Sequence, residues 1–227
     1  MGGQACILHG AAEFSRDIDL AILVSSKNLS HLWKTLDLLQ ATTAYVPDLT
    51  EEVLLRGHAC HFRCHAPGLE GLRVDVMGKM RGVADFSELW DRRVEIELPE
   101  VGSVPVMGLH DLVKAKKTQR DKDWPMIRRL VESDYHRQGL NASAETVRFW
   151  LTECRTPEIL KALATSHPEA TTEMITIRPL LSEVLSESIS EITQALRREE
   201  DRERDLDREY WAPLLDELEV WRRTRNR

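Results

Sequence analysis

Two aspartates one residue apart inside an apolar run constrain this chain more than any other feature. The run is Asp17-Ile18-Asp19-Leu20-Ala21-Ile22-Leu23-Val24. Side chains alternate across a strand, so a β-strand over 17–24 puts Asp17 and Asp19 on one face. Ile18 and Leu20 then face a core, and the apolar second half predicts a central strand buried on both sides. Two carboxylates side by side repel each other unless a cation sits between them. Mg²⁺ prefers such hard oxygen ligands. Just ahead lie Gly2-Gly3 and a helix-like segment over 3–12 that ends near Gly10.

Composition narrows the class. The 227 residues are 42% apolar and 30% charged, enough for one large domain or two small ones with a real core. A net charge of −7 argues against a basic surface that grips nucleic acid without specificity. Cys6, Cys60, Cys64 and Cys154 show no secreted disulfide spacing, and no leader-like segment precedes them. Nothing approaches the roughly 20 apolar residues of a membrane span. The expectation is a soluble, cytoplasmic protein.

Further along, Asn28 or Ser30 is placed to cap a helix carrying Leu29, Leu32, Trp33, Leu36 and Leu39. Residues 47–56 read as a connection with a helical turn. Segments 58–65 and 72–77 read as strands joined by a turn at Pro67-Gly68. A short helix around 86–90 precedes short strands over 94–98 and 103–106. After Met107 the texture turns helical: 109–117, a helix starting at Asp121 or Asp123, and one capped by Asn141 or Ser143. Another begins at Thr156-Pro157, and a long closing segment runs from about 180 to 223. The expected fold is α+β: a mixed sheet with flanking helices over 1–107, then a helical domain over 108–227.

In Leu72-Arg73-Val74-Asp75-Val76-Met77, Asp75 opposes the face shared by Val74 and Val76. A lone aspartate is disfavoured in a strand and costly to bury unpaired. Beside 17–24, it would join Asp17 and Asp19 as a third carboxylate able to hold Mg²⁺. The plainer reading is that Asp75 caps a strand end and meets Arg73 or Arg81. Taken together, the glycine pair, Asp-x-Asp in a strand and a lone Asp in a later strand resemble the nucleotidyltransferase superfamily with the DNA polymerase β-like fold. Downstream, Val106-Met107-Gly108-Leu109-His110-Asp111-Leu112-Val113-Lys114-Ala115-Lys116 and Arg120-Asp121-Lys122-Asp123 are similar to the segment after the sheet in one group of that superfamily. That group is the minimal nucleotidyltransferase-like proteins allied to abortive-infection and toxin–antitoxin systems.

The resemblance implies Mg²⁺-dependent transfer of a nucleoside monophosphate from an NTP to a hydroxyl of RNA, protein or a small molecule. Asp17, Asp19 and Asp75 would be catalytic and metal-binding. Asp75 would also help deprotonate the acceptor. Gly2 and Gly3 would cradle the triphosphate, a role that backbone N–H groups at a helix start suit. Ser15, Arg16, Lys116 and Arg120 would bind the nucleotide, with Lys114 the alternative to Lys116. The family pattern has a helix and an apolar strand ahead of the glycine pair, whereas this sequence starts at Met1. The alternative function is a non-catalytic or regulatory member of a toxin–antitoxin type system, with a partner protein or a second copy bound through the helical half.

Other features are weaker. His58-Ala59-Cys60-His61-Phe62-Arg63-Cys64-His65 lacks Cys-x-x-Cys spacing and reads as a strand with buried Cys and exposed His. His9 reads as a packing or substrate-contacting histidine. The alternating charges over 197–209 read as a solvated helix laced with i, i+4 pairs. The arginines at 222, 223, 225 and 227 offer a slight basic terminus.

Overall fold

A computed structural model describes residues 1–12 and 14–225. Arg227, the last of the terminal arginines, lies outside them. The chain divides into two compact units. The first holds Met1–Leu8, Ala12–Ala115 and the chain from Arg208 onward; the second holds His9–Ala11 and Lys116–Asp207.

The first unit is α+β. Its helices are α1 (Gly2–Leu8), α2 (Ser26–Leu38), α3 (Glu51–Arg56), α4 (Phe86–Asp91) and most of α5 (Leu109–Lys116). Strands β1 (Asp17–Ala21), β2 (Thr42–Thr43), β3 (Ala59–Arg63) and β4 (Arg73–Met77) form a mixed sheet of order β1-β4-β3-β2. β5 (Val94–Leu98) and β6 (Gly102–Val106) form a separate antiparallel hairpin. β1 runs parallel to β4, and β3 antiparallel to it.

Alternation divides the four-stranded sheet into two chemically distinct faces. Ile18, Leu20, Cys60, Phe62, Val74 and Val76 join Leu29, Leu36, Leu49 and Leu54 in the apolar core against α2 and α3. The opposite face carries Asp17, Asp19, His61, Arg73 and Asp75.

Two expectations are corrected here. β1 is not central: β4 takes that position, and β1 is the edge strand among the described residues. It ends at Ala21, three residues short of Val24, because the ladder with β4 closes at Ala21–Met77, with one last bond from the Ile22 N–H to the Met77 carbonyl at 3.0 Å. The cap of α2 is neither Asn28 nor Ser30 but Ser25, whose Oγ accepts from the Asn28 N–H at 3.3 Å. The helix therefore starts directly after the strand exit, and the Asn28 side chain donates back to the Leu23 carbonyl at 2.8 Å.

The second unit is helical: α6 (Asp123–Gln138), α7 (Ala144–Glu153), α8 (Pro157–Ser166), α9 (Pro168–Met174) and α10 (Ile189–Arg225), whose residues from Arg208 belong to the first unit. Ser143 caps α7 by accepting from the Thr146 N–H at 3.1 Å, and Pro157 opens α8. No helix among the described residues is long and apolar enough to cross a membrane.

The charged run over 197–209 does more than meet solvent. Glu199 pairs with Arg155 at 2.8 Å and Arg178 at 2.7 Å. Asp207, 2% exposed, accepts from the Gln119 N–H at 2.8 Å. Sign alternation is periodic along a solvated helix and along one that packs by cross-helix ion pairs, so the pattern does not separate the two.

Candidate functional site

The parallel register of β1 and β4 sets Asp19 directly beside Asp75, and Asp17 beside Arg73. The antiparallel register of β3 sets His61 on the other side of Asp75. Paired residues of neighbouring strands point to the same face, so the three carboxylates rise from one patch of sheet.

Asp75 is the best buried, at 7% exposed. His61 Nδ1 donates to its Oδ1 at 2.8 Å, and Arg73 Nη2 donates to its Oδ2 at 3.1 Å. Burial pushes the Asp75 carboxyl up, but the His61 hydrogen bond and the charges of His61 and Arg73 more than offset it. The net result holds Asp75 below the usual carboxylate range. Arg73 also reaches Asp17, Nη1 to Oδ2 at 3.7 Å. Of the plainer expectation, the contact with Arg73 is met, but Asp75 lies in the middle of β4 and caps no strand end; Arg73 spans two of the three carboxylates.

The glycine pair packs on this patch. The Gly3 N–H donates to Asp19 Oδ2 at 3.3 Å. A Cβ on Gly2 would fall 1.9 Å from the same oxygen, and Gly2 has φ +66, so both space and backbone demand glycine. A Cβ on Gly3 would fall 2.3 Å from Ser15 Oγ. Ser15 Oγ donates to the Asp17 carbonyl at 3.3 Å. Arg16 is exposed, its guanidinium 5.7 Å from the Phe14 ring centre. Gly2, Gly3, Ser15, Asp17, Asp19 and Asp75 therefore share one neighbourhood.

Lys116 and Arg120 belong to the second unit, where they meet at Asp123. Lys116 Nζ lies 3.0 Å from Oδ1, Arg120 Nε 2.8 Å from Oδ2, and Thr118 Oγ1 donates to Oδ2 at 2.6 Å. Burial pushes the Asp123 carboxyl up, but Lys116, Thr118 and Arg120 bring it below its ordinary value.

Hard carboxylate oxygens on one face suit Mg²⁺ chemically. As they stand, the side chains are arranged around Arg73. Among the described residues no three His, Cys, Asp or Glu side chains are gathered so as to hold a metal ion. A cation on this patch requires Arg73 to turn away from Asp17 and Asp75.

Sequence reasoning named Arg73 but missed His61 as a partner of Asp75. The signal was present in the alternation of 59–63, which sends His61 away from buried Cys60 and Phe62. His58 corrects the expectation of exposed histidines. It is 1% exposed, sits 2.7 Å from Glu217 Oε2, and packs 4.8 Å from the Trp221 ring. His65 is exposed, as read, and reaches Thr42 Oγ1 at 3.0 Å. All four cysteines are buried free thiols. His9 falls in the turn after α1 and not on the helix.

No protein-family model matches this chain, and no curated protein matches it in sequence.

Proposed function

We propose that the chain is a nucleotidyltransferase-fold enzyme that moves a nucleoside monophosphate from an NTP to a hydroxyl acceptor in RNA, protein or a small molecule. The observation that carries this reading is the Asp19–Asp75 register, with Asp17 on the same face and the glycine pair against Asp19. Asp17, Asp19 and Asp75 would hold Mg²⁺. Bound there, the ion supplies charge neutralisation for phosphoryl transfer.

The protein's own residues do the rest. His61 and the strand backbone hold the Asp75 carboxylate in one orientation. Asp75 would complete the metal site and help deprotonate the acceptor hydroxyl. Gly2 and Gly3 let the backbone at the start of α1 close on Asp19 and Ser15, and its N–H groups would meet a triphosphate carried on that carboxylate face. Lys116 and Arg120 keep their proposed share of phosphate charge, for which they would exchange Asp123 for the ligand.

One observation favours a second reading, a non-catalytic or regulatory protein of the same fold. Arg73 and His61 already satisfy both Asp75 oxygens. Such a protein would act by binding a partner through its helical half, as in a toxin–antitoxin pair. Transfer of α-labelled nucleotide from each NTP, with Mg²⁺, to RNA, protein and small acceptors separates the two. The enzyme reading expects label transfer that Asp19→Asn abolishes. Parent-level transfer by Asp19→Asn overturns the catalytic assignment.

A further inference from the structure

The second unit holds a cavity of about 430 Å³, in the size range of small-molecule sites. Arg128, Arg155, Arg197 and Arg204 line it, with Trp124 beneath. Arg155 is the deepest, its side chain 7% exposed. Its Nη1 pairs with Glu199 at 2.8 Å, and its guanidinium carbon lies 5.5 Å from the Trp124 ring centre. The Arg204 guanidinium lies 5.7 Å from the same ring and pairs with Asp121. Each of these two arginines keeps a buried Nε–H that meets no acceptor. Buried donors without partners are uncommon and costly.

Arg128 is held at the rim by Glu132 and Thr156, its Nε 3.1 Å from each. Burial and the neighbouring Arg178 push the Arg155 guanidinium down, against the pull of Glu199, Glu153 and Glu200. Glu200, Asp121 and Glu158 are the carboxylates of the wall, and burial pushes the Glu200 carboxyl up. Arg128 and Arg197 stand exposed at the rim. Trp124 is buried and donates Nε1–H to the Thr118 carbonyl at 2.9 Å, so its ring is a platform for the arginines.

We propose that this cavity binds a small phosphate ester, held by Arg155 and Arg204 on the Trp124 platform and by Arg128 and Arg197 at the rim. Guanidinium groups present several fixed N–H donors, and a phosphate offers oxygens enough to engage more than one of them. A polynucleotide is a poorer fit. The wall also carries Asp121 and Glu158, and the chain's net charge of −7 opposes an extended polyanion.

This site is independent of the carboxylate face, and its test keeps the two apart. The full chain is titrated at low salt with inorganic phosphate, glucose 6-phosphate and a short single-stranded RNA. Binding is followed by calorimetry and by the indole N–H resonance of Trp124. Either phosphate probe is expected to bind and to shift that resonance. Arg155→Met and Arg128→Gln should each weaken binding about tenfold or more, while Asp19→Asn binds like the parent. If Arg155→Met does not fold, Arg128→Gln and Arg197→Gln at the rim decide the matter. Failure of both phosphate probes, binding unaffected by the rim variants, or binding of RNA alone overturns the proposal.

Discussion

Asp75 and Asp123 are both buried aspartates held below their ordinary pKa by nearby cations, yet they sit in opposite charge environments. At Asp123 one carboxylate is shared by Lys116 and Arg120, with the Thr118 hydroxyl added. At Asp75, two carboxylates, Asp75 and Asp17, share the guanidinium of Arg73, with His61 beside it, while Asp19 accepts from the Gly3 N–H. The first cluster sets two cations and a hydroxyl on one carboxylate. The second sets Asp17 and Asp75 around Arg73 on the polar sheet face, and it is the face proposed above to take a cation. Burial and pKa direction are alike at the two aspartates, so what distinguishes them is the set of partners around each carboxylate.

Substitutions can break that comparison. The largest effect is expected from Asp123→Ala, which leaves Lys116, 12% exposed, without its carboxylate. It should cost about 3 kcal/mol or more in denaturant unfolding. Gly2→Ala should cost about 1–2 kcal/mol, because its Cβ enters the space of Asp19 and its backbone is left-handed. That variant should also weaken NTP binding, measured by calorimetry. Asp75→Asn should cost less than Asp123→Ala, about 1–2 kcal/mol, since the amide keeps one oxygen to accept from His61 or Arg73. A cost as large as that of Asp123→Ala would mean the two clusters do the same structural work.

The pH dependence gives the finest distinction. Both carboxyls have folded pKa values below the unfolded ones. Their stabilisation is therefore complete above the ordinary carboxylate range and is lost as pH falls through the folded values. The stability gap between the parent and Asp123→Asn should close with acidification. The gap for Asp75→Asn should be smaller at neutral pH and change less. Urea unfolding across the acid range reads both.

Much of the charged face is legible in the sequence, because strand alternation needs no tertiary information. It places Asp17 with Asp19, and Asp75 away from Val74 and Val76. The adjacency of Asp19 and Asp75 is not legible, since it depends on a parallel register between segments more than fifty residues apart. The edge position of β1 is hidden for the same reason: an apolar run reports burial, not strand order. His58 was misread because its partner, Glu217, lies 159 residues away. The α10 charges were misread because a sign pattern does not reveal which residues lie against another helix. The helix starts at Ser143 and Thr156-Pro157 were readable because capping chemistry is local.

The central claim is that the Asp17–Asp19–Asp75 face takes a divalent cation together with a nucleotide. Calorimetric titration of Mg²⁺ with a non-hydrolysable NTP into the parent and Asp19→Asn tests it most directly. The account predicts saturable, Mg²⁺-dependent binding to the parent that Asp19→Asn removes. No binding to the parent, or equal binding to both, would contradict it.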